Sequence, residues 1–259
     1  MKRPLLILLA ASVLFFLAGC FDTTEEITID KNGGGVYQIN ADFKGLFELL
    51  DAMKAFDTSA NSSLQNLPSN IDTTINLRSF TDTASSLTAE EKTLLRNATL
   101  NMVMNEKDKV FKVLMKYPYK DINDVQKIIK LSQSGNNFLG KALQGKESPL
   151  TDMQMNQDMG MPQLNNFYDV TIKKGFLEKK VNADKLKEFE ENEQFAQMKQ
   201  ALEMMSEATM NTVIHLPKPV KKAEGANIKL SDDKKTVTIN ASLSDLFNDP
   251  NAFAYHVEY

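Results

Sequence analysis

Short runs in which every second residue is apolar, each broken by a tight turn, constrain this chain more than any other feature. Ile27 and Ile29 alternate with polar residues, Lys31-Asn32-Gly33-Gly34-Gly35 interrupts them, and Tyr37, Ile39, Ala41 and Phe43 resume the alternation. Period-two spacing puts apolar side chains on one face of a strand, and a glycine-rich turn lets the chain reverse, so this is a hairpin. Leu100, Met102 and Met104 repeat the pattern, turn through 105–108 and continue as Phe111, Val113, Met115 and Tyr117. Residues 167–173 and 176–181 make a further hairpin about Lys174-Gly175.

Helical spacing lies between these runs. Leu46, Leu49, Leu50, Met53 and Phe56 share one helical face, the Ser/Asn-rich stretch 57–70 reads as a loop, and Ile75, Leu77 and Phe80 read as a third strand. Thr88-Ala89-Glu90-Glu91 is a capping box, and Asp121 can cap a helix bearing Ile122, Val125, Ile128 and Ile129. Asn182 caps another helix. Its apolar phase slips between Leu186/Phe189 and Phe195, Met198, Leu202 and Met205, which predicts a break at 191–193. Hairpins alternating with helices give an α+β class, with mainly antiparallel sheet built from β-hairpin plus helix units.

The two ends of the chain share local grammar. Ile39-Asn40-Ala41 and Leu46-Phe47 recur as Ile239-Asn240-Ala241 and Leu246-Phe247. The second copy follows a turn at Asp232-Asp233-Lys234-Lys235 and precedes an alternating strand, Phe253-Tyr255-Val257-Tyr259. An N-terminal/C-terminal duplication of a β-β-α-β unit is one reading and chance similarity of common patterns is the other.

The N-terminus carries a different signal. Lys2 and Arg3 precede an apolar run over 5–17, about 13 residues, where a membrane-spanning helix needs roughly 20. Leu17-Ala18-Gly19-Cys20 follows, and Cys20 is the only cysteine. A positive end, an apolar stretch and small residues before a cysteine resemble the signal and lipobox of bacterial lipoproteins. That resemblance implies removal of residues 1–19, lipidation of Cys20, a tether over 20–24 and a single folded body over 25–259. Phe21 stands where Asp would signal inner-membrane retention, so an outer-membrane location is expected in a Gram-negative cell. The acidic stretch Asp22-Thr23-Thr24-Glu25-Glu26 resembles the export tract of Bacteroidetes-type envelope lipoproteins, and Asp22-Thr23-Thr24, Asp72-Thr73-Thr74 and Asp82-Thr83-Ala84 resemble O-glycosylation motifs of the same group.

Few residues carry chemistry. With 30 basic against 34 acidic residues and no basic patch interleaved with aromatics, the sequence points away from nucleic acid. Lipidation would leave no thiol for disulfides, thiolate catalysis or cysteine metal ligation. Met153, Met155, Met159 and Met161 are spaced thioethers, soft ligands suited to Cu(I), within a Met/Gln/Asn-rich loop near 135–166. The bland alternative is a polar loop with adaptable methionines. His215 and His256 are the only histidines, and neither sits in a nucleophile, zinc or phosphate-loop motif. Lys179, Lys180, Lys185 and Lys187 with Glu188, Glu190, Glu191 and Glu193 form a charge run expected on a solvated helix face. No catalytic residue and no cofactor are assigned. The expectation is a lipid-anchored envelope component that binds a protein or glycan partner. The alternative is a Cu(I)-handling or hydrolytic lipoprotein.

Overall fold

The computed structural model describes residues 22–45, 47, 69–85, 87–133, 166–191 and 208–259. The signal segment, Cys20, most of the helix expected at 46–56, the loop at 57–68, the methionine-rich segment and residues 192–207 lie outside the described residues.

An eight-stranded sheet runs in the order β10-β11-β8-β1-β2-β5-β4-β3. Its strands are β1 (Asp22–Ile29), β2 (Gly35–Asp42), β3 (Asn70–Asn76), β4 (Thr99–Asn105), β5 (Val110–Tyr119), β8 (Thr209–His215), β10 (Ile228–Leu230) and β11 (Thr236–Ser242). A second sheet of four strands has the order β6-β7-β12-β9, from β6 (Tyr168–Lys173), β7 (Phe176–Val181), β9 (Lys222–Glu224) and β12 (Tyr255–Glu258). The described helices are α1 (Arg78–Thr83), α2 (Ala89–Leu95), α3 (Ile122–Gln133), α4 (Ala183–Glu190) and α5 (Leu243–Asn248), with a 3₁₀ turn over Pro250–Phe253. The protein is α+β with antiparallel sheet dominant, as its hairpin pattern requires.

The three expected hairpins form β1–β2, β4–β5 and β6–β7. The caps also sit where the sequence puts them. Thr88 and Glu91 close a reciprocal capping box on α2, and Asn182 Oδ1 accepts from Lys185 N at 3.1 Å on α4. The latter helix stops at Glu190, with Glu191 as its C-cap, beside the expected break. Helix α3 buries Ile122, Val125, Ile128 and Ile129, and Gln126 Oε1 accepts the Ile172 N–H of edge strand β6 at 3.4 Å.

Three boundaries differ from expectation. β1 begins at Asp22, so residues 22–24, expected as tether, are paired strand. Phe80 is helical because Asn76 Oδ1 accepts from Arg78 N at 2.9 Å and turns the chain into α1 before the alternation can continue. Phe253 lies in the 3₁₀ turn, where Asp249 Oδ1 accepts from Asn251 N at 2.9 Å.

The repeated Ile-Asn-Ala segments occupy β2 and β11 in equal register against different partners. Ile39 faces Glu25 of β1, and Ile239 faces Thr212 of β8. Beyond that strand the units diverge. Ile39 is half-buried while Ile239 is buried, β3 joins the far edge of the large sheet, and β12 joins the small one. The similarity extends over one strand and the start of one helix.

Between β2 and β11, β1 and β8 pair in parallel, with most of the chain separating them in sequence. Burial explains why such a polar strand takes a central position: Ile27 and Ile29 face a core shared with Ile214 and Val237 of the same sheet. Val170, Ile172, Leu177, Tyr255 and Val257 of the small sheet belong to that same core, so the two sheets meet across it.

Candidate functional site

Three clusters of ionisable side chains arise from this arrangement. The first is inside. Leu177, Lys179 and Val181 share one face of β7, and Leu177 is fully buried, so the inward face of the small sheet carries a lysine. Lys179 is 3% exposed and stands in register between Val170 and Tyr255. Its ammonium lies 4.7 Å from the centre of the Tyr168 ring, a cation–π contact, and the Tyr168 hydroxyl donates to the Pro250 carbonyl.

Glu25 of β1 is the carboxylate whose charge acts on Lys179, and it also accepts a 2.7 Å hydrogen bond from the Tyr37 hydroxyl. Burial pulls the Lys179 ammonium below the ordinary lysine range, and Glu25 opposes that pull. Burial pushes the Tyr255 hydroxyl far up, with Glu25 adding to the effect. Glu25 of the large sheet thus acts electrostatically on Lys179 and Tyr255 of the small one. This corrects the reading of 179–193 as a uniformly solvated charge run: Lys180, Lys185, Lys187, Glu188 and Glu190 are exposed, but Lys179 is in the core. The clue was the phase of Leu177. A residue two positions from a buried strand residue shares its face whatever its charge.

The second cluster is on the outward face of the large sheet. His215 Nε2 lies 2.9 Å from Glu26 Oε1, and its Nδ1 lies 3.3 Å from Thr236 Oγ1. Glu26 also accepts from Gln38 Nε2. Hydroxyl, imidazole and carboxylate stand in line here across three strands. Thr236 N donates to Ser231 Oγ at 2.9 Å and Leu216 N to the Lys235 carbonyl at 2.8 Å.

The third cluster is on the outward face of the small sheet. His256 Nε2 lies 2.9 Å from Glu258 Oε1 and Nδ1 3.4 Å from Glu178 Oε1, with the Phe176 ring edge-on at 5.1 Å. Both carboxylates accept only, so the doubly protonated imidazolium satisfies both. The Glu258 hydrogen bond, reinforced by Glu178, raises the His256 pKa above its ordinary value against a burial effect that lowers it. The two histidines are on different sheets, His215 beside Glu26 and His256 between Glu178 and Glu258. Cys20, Met153, Met155, Met159 and Met161 lie outside the described residues. Among the described residues no three of His, Cys, Asp and Glu converge as a metal-ligand set, and no helix is long and apolar enough to cross a membrane.

No family model and no curated protein matches this chain. Among solved structures it is similar to the folded domain of the LppM (Rv2171) protein of Mycobacterium tuberculosis, determined by NMR. The alignment covers 93% of this chain and 90% of that one, at 6% identity and a TM-score of 0.36.

Proposed function

We propose that this chain is a lipid-anchored protein of the bacterial envelope, held by Cys20 and acting as a non-catalytic binding or assembly component for a protein or glycan partner. The observation that carries this reading is Leu17-Ala18-Gly19-Cys20 after a positively charged, apolar leader, with the only cysteine at the position that lipidation uses. The separation of His215 from His256 supports a binding role over a hydrolytic one, since each imidazole is paired with carboxylates on its own sheet. In a Gram-negative producer, Phe21 in place of Asp after Cys20 favours the outer membrane. Two or more acyl chains hold a protein stably where one gives only marginal binding.

The test is a Cys20→Ser precursor expressed beside the parent with radiolabelled palmitate. The parent should take up label and sediment with membranes, while the variant should do neither and still fold. Membrane sedimentation of an unlabelled parent would overturn the reading. Cross-linking of the labelled parent in intact cells should then recover a defined protein or glycan, and turnover of an ester or glycoside by the purified protein would favour the hydrolytic alternative.

A further inference from the structure

The attachment point on the fold is specific. The first described residue of β1, Asp22, is held on both sides: it pairs with Asp42 of β2 and Thr209 of β8, and its Oδ1 accepts from Thr209 N at 3.2 Å. Two residue steps separate Asp22 from Cys20, a reach of about 7 Å at full extension. Because β1 lies within the sheet order rather than at an edge, the anchor pulls on the middle of one end of the large sheet. Asp42 pairs with Lys112, and Asn105 pairs with Val110, so the β4–β5 turn at 106–109 projects from this same end. The β1–β2 turn at 31–34 and Lys218, which follows β8, are at the other end. An eight-residue strand, about 26 Å long at roughly 3.3 Å per residue, separates the two ends.

We infer that the end of the eight-stranded sheet bearing Asp22 and the turn 106–109 rests on the phospholipid headgroups, with the strands rising from the membrane and the turn 31–34 facing away. This rests on the lipidation of Cys20 proposed above. The turn sequence Glu106-Lys107-Asp108-Lys109 alternates in sign, so it meets headgroups without net repulsion, and the short tether rather than attraction sets the orientation. Laying the sheet flat would press Glu26, Gln38, Asn40 and Asn211 of its outward face onto lipid, with the desolvation cost of polar groups.

An introduced cysteine gives a clean probe, because acylation of Cys20 leaves no other thiol. Lys107→Cys and Asn32→Cys mark the two ends, Lys218→Cys is a second distal site, and Lys116→Cys marks the outward face. Each lipidated full-length variant is labelled with a fluorophore. It is then reconstituted in phosphatidylethanolamine/phosphatidylglycerol vesicles containing headgroup-nitroxide phosphatidylcholine. Quenching at position 107 should exceed that at 32 and 218 several-fold, with 116 between them. Equal quenching at 107 and 32 in acylated protein, or strongest quenching at 116, overturns the orientation while leaving the anchor reading intact. A free Cys20 thiol in the parent, read by intact mass, overturns both.

Discussion

The electrostatic influence of Glu25 on Lys179 across the two sheets can be measured by a double-mutant cycle. Removing one partner of a fully buried ion pair costs about 3–5 kcal/mol, because the other charge is left without compensation. Glu25 is only half-buried and keeps its Tyr37 partner, so Glu25→Gln should cost less, about 2 kcal/mol. Lys179→Met keeps most of the buried stem. It removes the charge whose burial the fold opposes but also loses a cation–π contact worth about 0.5–2 kcal/mol, so its net effect should be within about 1 kcal/mol of zero. In the Lys179→Met background, Glu25→Gln should cost less than about 0.5 kcal/mol. The cycle therefore predicts a coupling energy of about 1.5 kcal/mol, inside the range found for residues sharing a network. Urea unfolding of the four proteins, followed by circular dichroism at neutral pH, supplies the values. A coupling below about 0.5 kcal/mol would refute the reasoning, because the two charges would then be independent.

Gly35→Ala should destabilise by about 3 kcal/mol or more in the same assay, since a Cβ there would be 1.8 Å from the Thr28 carbonyl oxygen and 2.7 Å from the Tyr119 hydroxyl. Gly33→Ala, where φ is +85° and nothing lies within 4 Å, should cost only about 1–2 kcal/mol of left-handed strain. Burial raises the hydroxyl pKa of Tyr117, Tyr119, Tyr168 and Tyr255, so the stability they confer is complete below the unfolded value and is lost as pH rises through the folded ones. Unfolding free energy should fall steeply above about pH 10, by about 1.4 kcal/mol per pH unit for each tyrosine kept neutral, and a flat profile to pH 11.5 would contradict this. The raised His256 pKa gives stability that is full below the unfolded value of about 6.5 and disappears as pH rises through the folded one. His256→Asn should therefore lose more stability at pH 5 than at pH 8, and the NMR titration midpoint of His256 should be above about 6.5. Replacing Met153, Met155, Met159 and Met161 together by Ser should shift stability by no more than about 1 kcal/mol and leave copper tolerance unchanged, while loss of tight Cu(I) binding would favour the metal-handling alternative.

Local patterns carried the hairpins, the caps on α2 and α4, the inward phase of Ile27, Tyr37 and Val257, and the lipobox resemblance. These depend on the spacing of neighbouring residues, and a strand or helix displays its faces with a fixed period wherever it packs. The pairing of β1 with β8, the influence of Glu25 on Lys179, and the separation of His215 from His256 needed the tertiary structure. Periodicity says which side chains share a face but not which strand supplies the hydrogen bonds at its edge, and the second partner of β1, after the adjacent β2, starts 187 residues away. Lys179 shows the limit most directly. Its phase with Leu177 was present in the sequence, but only a second sheet decides that this face is closed and that Glu25 acts on the lysine there.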